Sequence, residues 1–118
     1  MPRAIKPAVV DDMNKRITVQ ERTETETETG DIAEEWTAVA TCWAAVKPLR
    51  GREFWQAQQV QSEVTHKVTT RWVDGVTTDH RILFRRRGSG VGRVFNIMSV
   101  INIEEDNVIL EMLCKESV

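Results

Sequence analysis

The sequence predicts a mainly β fold: a small antiparallel β-barrel or sandwich of about six strands, with one short helix carried in a long loop insert. Three observations predict it. Apolar and polar residues alternate with period two in several segments, and turn signals at Gly30-Asp31, Asp74-Gly75 and Asp106-Asn107 separate those segments. Between about 48 and 62 the alternation gives way to a helix-like, glutamine-rich run.

The 118 residues suit one domain with a modest core. Residues 15–118 are assigned to the barrel and 1–14, which hold two of the three prolines, to an extended N-terminal arm. Hydrophobic residues at 41% and charged residues at 29% are ordinary for a soluble domain, and no apolar run nears the ~20 residues of a membrane span. The N-terminus lacks the pattern of a secretory signal, so cytoplasmic synthesis is expected. Cys42 and Cys114 lie in apolar strand-like segments and read as small hydrophobes, not as a disulfide. A net charge of -2 supplies no global basic field for nucleic acid.

The first strand starts at Lys15, where Ile17 and Val19 alternate with polar neighbours. The Thr-Glu repeat from Thr23 to Thr29 has no apolar face and reads as a solvated hairpin loop, with cation binding as the alternative. Glu35 to Lys47 is a long strand apolar on both faces. Trp36, Ala38, Ala40, Cys42, Ala44 and Val46 lie on one face, and Val39, Thr41, Trp43 and Ala45 on the other. Such a strand is central, or half of it is covered by a partner; Trp43 is taken as a core residue. Glu63 to Trp72 has Val64, His66, Val68, Thr70 and Trp72 facing in. Arg81 to Arg86 is a short strand through Ile82 and Phe84, and Gly88 to Gly92 is a flexible hairpin connection. Arg93 to Ile103 follows, and the last strand, Val108 to Cys114, buries either Val108, Leu110 and Met112 or Ile109 and Leu113.

No constellation supports catalysis. Cys42, His66, His80 and Cys114 lack the spacing of a zinc site, and the glycines of the 88–92 loop lack the order and context of a phosphate cradle. His66 is expected at an inward or boundary position and His80 in solvent. The chain is read as a non-enzyme with neither metal nor cofactor.

Two features remain. The insert displays Phe54, Trp55 and Val60 among glutamines, with Arg50, Arg52 and Glu53 at its entry. Trp, Phe and Arg are favoured interface anchors, so Arg50, Arg52, Glu53, Phe54, Trp55, Gln58 and Gln59 form the candidate subunit surface, with barrel capping by an aromatic as the alternative. Arg85, Arg86, Arg87 and Arg93 flank the glycine loop, either as a solvated hairpin tip or as a phosphate-facing patch that gains strength when repeated around a ring.

In order, Arg16-Ile17-Thr18-Val19-Gln20, the Gly30 loop, Glu35-Trp36, Trp43-Ala44-Ala45-Val46 before Pro48-Leu49 and Gly51-Arg52-Glu53 resemble one family. Val64-Thr65-His66-Lys67-Val68, Arg71, Asp79-His80-Arg81-Ile82, Val94-Phe95-Asn96-Ile97 and Val100-Ile101-Asn102 continue the likeness, which spans roughly residues 15 to 115. It is that of the head-tail adaptor proteins of tailed bacteriophages, also called head-closure or stopper proteins. The resemblance implies a barrel assembled as a ring that joins the portal of a DNA-filled head to the tail and helps close the DNA channel. It further implies portal and tail proteins as partners, self-association, non-specific contact with packaged DNA, and residence in the virion after assembly in the host cytoplasm. The Arg85 to Gly92 connection is longer than expected for the family. The alternatives are a tail-completion or tail-terminator connector, and a monomeric β-barrel nucleic-acid-binding module.

Overall fold

A computed structural model describes residues 12–60, 63–85 and 92–117. Six strands form a closed antiparallel barrel: β1 (Lys15–Glu26), β2 (Ile32–Pro48), β3 (His66–Arg71), β4 (Arg81–Arg85), β5 (Gly92–Asn102) and β6 (Ile109–Ser117). Helix α1 (Gly51–Val60) joins β2 to β3, and a 3-10 turn at Ile103–Glu105 precedes β6. Around the barrel the order is β1-β2-β3-β6-β5-β4, with β4 returning to β1. Closure pairs both edges of the sheet over the barrel itself.

Alternation decides what fills the interior. Ile17 and Val19, Val68 and Thr70, Ile82 and Phe84, Phe95 and Ile97, and Leu110, Met112 and Cys114 all point inward and are buried. The last strand therefore buries its Leu110 series and turns Ile109, Glu111 and Leu113 outward. The one buried polar side chain of this set, Thr70, donates its hydroxyl to the Arg71 carbonyl at 2.8 Å.

Two bulges bend the barrel and redirect side chains. In β2, Val39 is the extra residue, because Val19 pairs with Ala40 and Gln20 with Ala38. This one-residue slip puts Trp36 and Ala38 on the opposite face from Ala40, Cys42 and Ala44 and corrects the simple alternation expected for the strand. In β5, Met98 is the extra residue between the Ile97–Cys114 and Ser99–Leu113 pairs. Met98 is thereby free to pack outside the barrel, where Leu49, Ala57 and Val64 form a second small core with Phe54 and Leu113 against α1.

Three other expectations need correction. The Thr-Glu repeat is not all loop: Thr23–Glu26 belong to β1, and the turn is confined to residues 27–31, closed by Thr27 N–H to the Asp31 carbonyl at 2.7 Å and by Gly30 at φ 87°. Trp43 is not core, since its ring is 54% exposed on the outer wall beneath the Arg16 guanidinium. His80 is not solvated; its Nδ1 accepts the Thr77 backbone N–H at 2.9 Å and its side chain is only 11% exposed.

Residues 1–11, most of the expected arm, lie outside the described residues. Next to them, Met13 is buried and Asp12 pairs with Lys47 at 2.8 Å. Both cysteines are free thiols. Among the described residues, no helix is long and apolar enough to cross a membrane.

Candidate assembly surface

The insert is held to the barrel wall by its own loop ends. Leu49 N–H donates to the Thr65 carbonyl at 3.0 Å and Thr65 N–H to the Cys114 carbonyl at 2.8 Å, which ties both ends of the excursion to β6. Helical spacing then puts Phe54, Ala57 and Gln58 on the inner face. Phe54 joins the small outer core, Ala57 is buried, and Gln58 donates its side-chain amide to the Val64 carbonyl at 2.7 Å.

One helical step further round, Trp55 is turned out. It is 68% exposed and meets Phe54 edge-on with ring centroids 5.6 Å apart. Of the two aromatics, one anchors the helix and the other is displayed. Arg50, Arg52 and Gln59 are exposed around it, and Glu53 is tied to Lys67 on β3. The Val60 side chain and residues 61 and 62 lie outside the described residues. The candidate interface thus divides: Phe54 and Gln58 position the helix, while Arg50, Arg52, Trp55 and Gln59 are its outward groups.

The arginine cluster divides too. Arg85 is exposed at the end of β4, whereas Arg86 and Arg87 lie outside the described residues. Arg93 lies over the rings of Phe84 and Phe95 and is hydrogen-bonded to Glu116. That bond, ahead of a smaller attraction between the charges, holds the Glu116 carboxyl below the usual range, so the Arg93 charge is largely answered within the chain. Beside it, the His66 ring packs edge-on against Phe95 with centroids 4.9 Å apart, and burial lowers its proton affinity despite the nearby Glu116. A concavity lined by Lys15, Arg16, Trp43, Phe84, Arg85 and Arg93 opens at this end of the barrel.

Two surface features were missed in the sequence. One is the exposed Trp43 with its Arg16 partner; the other is a two-stranded ribbon, since β1 meets β4 only over Ile17–Gln20 and β2 meets β3 only from Ala44. The polar alternation of the Thr-Glu repeat was the available signal, because a strand polar on both faces is a strand with no core beneath it. Among the described residues, no three of His, Cys, Asp and Glu gather as metal ligands.

The family of phage head completion proteins matches residues 10–117. The solution structure of protein SF1141 from Shigella flexneri 2a shares 28% sequence identity and a TM-score of 0.68, covering 90% of this chain and 94% of that one. A chain from the virion of a native gene transfer agent particle superposes with a TM-score of 0.51 at 18% identity, covering 89% of this chain and 96% of that one, which is a likeness of fold. Comparison with curated protein sequences gives no match.

Proposed function

The chain belongs to the phage head completion protein family, and we propose that its role is structural and not catalytic, as a ring that joins the portal of the DNA-filled head to the tail and helps to close the DNA channel. The observation that carries this reading is Trp55, an exposed indole on a helix whose opposite face is committed to the barrel. A lone domain gains nothing from holding a large apolar ring in water, whereas an interface gains an anchor. Arg50, Arg52 and Gln59 supply the polar rim around it. A ring also multiplies weak contacts by its copy number, which suits a surface of this size.

Contact with packaged DNA has less support, since Glu116 already answers Arg93 and leaves Arg85, with Arg86 and Arg87 beside it in sequence, as the remaining cluster. The same arithmetic disfavours a monomeric nucleic-acid module, whose affinity would need many unpaired cations on one face.

The test is binding of the purified chain to isolated portal rings, followed by joining of tails to filled heads. Wild-type protein should bind portal and restore joining, and Trp55→Ala should fold normally and do neither. Binding to tail ends without binding to portal would move the assignment to a tail-completion protein. Salt-sensitive binding of DNA by the monomer, with no portal binding, would favour the nucleic-acid module.

A further inference from the structure

The ribbon that continues β1 and β2 past the barrel is strongly acidic. From Glu21 to Glu35 there are seven carboxylates against one cation, Arg22, although the whole chain is only at -2, so the remainder is net basic. Arg22 is spent within the ribbon, 3.3 Å from Glu24 and 3.2 Å from Glu34. At the ribbon's end Ile32, paired with Glu26, is 69% exposed. The long edge of β2 from Ile32 to Trp43 has no strand partner on its outer side among the described residues.

The opposite end of β1 has the complementary chemistry. Trp43, Val46 and Phe84 floor the concavity described above, and Lys15, Arg16 and Arg85 stand at its rim with no acid paired to them among the described residues. From Lys15 to Glu26 an extended strand covers about 36 Å, and the molecule is 52 Å along its longest axis. Acidic tip and basic concavity therefore occupy opposite poles of one strand and cannot meet within one chain.

We propose that the acidic ribbon of one copy docks in the basic concavity of the next, with Ile32 against the Trp43 and Phe84 floor and the ribbon carboxylates on Lys15, Arg16 and Arg85. A surface at one pole joined to a different surface at the other is a heterologous contact, which closes into a ring or runs on as a filament. The inference rests on the ring reading above and names the contact that builds the ring. Charge at the rim supplies orientation and salt dependence, and the apolar floor excludes water.

Sedimentation at low and high ionic strength tests it with three proteins: wild type, a ribbon-reversed variant (Glu24→Lys with Glu26→Lys) and a concavity-reversed variant (Arg16→Glu with Arg85→Glu). All four positions are exposed, and melting curves check that the variants fold; Glu28→Lys with Asp31→Lys, and Lys15→Glu, replace any that does not. Wild type should associate with rising concentration at low salt and dissociate at high salt. Each variant alone should remain monomeric, and an equimolar mixture should associate again, because each reversed surface then finds its complement on the other chain. A monomeric wild type, self-association by either variant alone as strong as that of wild type, or failure of the mixture overturns the contact. So does a concavity-reversed variant that self-associates normally but loses binding to double-stranded DNA. The head-tail role is read separately: variants that lose portal binding while still self-associating would remove this contact and leave that role standing, whereas loss of self-association with portal binding intact supports it.

Discussion

Gln58 donates its side-chain amide to the backbone carbonyl of Val64 across 2.7 Å, and this bond clips the outer helix to the loop that leads into β3. It closes a short circuit of chain from α1 back to the barrel. Gln58→Ala should cost about 1 kcal/mol of stability, the net worth of one partly buried hydrogen bond. The barrel should stay intact, so the loss should appear as faster amide exchange in α1 with little change in β5 and β6. Uniformly faster exchange would show the helix and the barrel to be one cooperative unit.

The neighbouring aromatics should separate stability from assembly. Trp55→Ala removes an exposed ring and should shift the melting temperature little, while removing ~2 kcal/mol or more of portal binding if the indole is an interface anchor. Phe95→Ala, at a fully buried position, is the core control and should cost ~3–5 kcal/mol of folding stability. Trp43→Ala is expected to stay within about 0.5 kcal/mol of wild type, because its ring is on the outer wall. A Trp55 variant that melts as early as the Phe95 variant would return Trp55 to the core.

What could be read from the sequence was whatever obeys a local period. Ile17 and Val19, Val68 and Thr70, and Ile82 and Phe84 sit in short regular strands, and each pair is buried as its alternation demands. Val39 and Met98 broke the reading because a bulge is set by closure of the whole barrel, which no local pattern reports. The two faces of β2 looked equally apolar for a related reason. Ala44 faces the interior and Trp43 the outer wall, and composition alone does not say that the helix covers a different stretch of that wall, over Met98 and Leu113. In the insert, the glutamine-rich composition marked the surface, but the division of labour between Phe54 and Trp55 needed the helix to be placed.

Acid should weaken the fold through the Glu116, Arg93 and His66 group. The hydrogen bond from Arg93 lowers the folded-state affinity of Glu116 for a proton, so its contribution is present above the ordinary carboxylate range and is lost as the pH falls through the depressed folded value. Burial lowers that of His66, so the fold favours the neutral ring and loses stability as the pH drops below the ordinary imidazole range. The two effects have the same sign. Denaturation midpoints measured from neutral to acid pH should therefore fall, first through the imidazole range and then through the carboxylate range. His66→Gln should flatten the first stage and Glu116→Gln the second; a variant that leaves the whole profile unchanged would remove its residue from the account.

Alkali should act through Cys114. Its thiol lies wholly inside the barrel, 3.7 Å from the Met112 carbonyl, and burial pushes its titration up to about 12. In the unfolded chain the same thiol ionises near its ordinary value, so folding is favoured below that value and the advantage drains away as the pH rises from there toward 12. Cys42, also raised by burial but only half-buried, adds a smaller effect of the same sign. The expected result is a denaturation midpoint that declines above the ordinary thiol range, with a shallower decline in Cys114→Ala despite the lower starting stability left by its small cavity. A thiol reagent at neutral pH should label Cys42 first and reach Cys114 only at the rate of global opening, because the nucleophile is the thiolate and the folded barrel holds the neutral form. Rapid labelling of Cys114 in the folded protein would contradict the closed interior on which this argument depends.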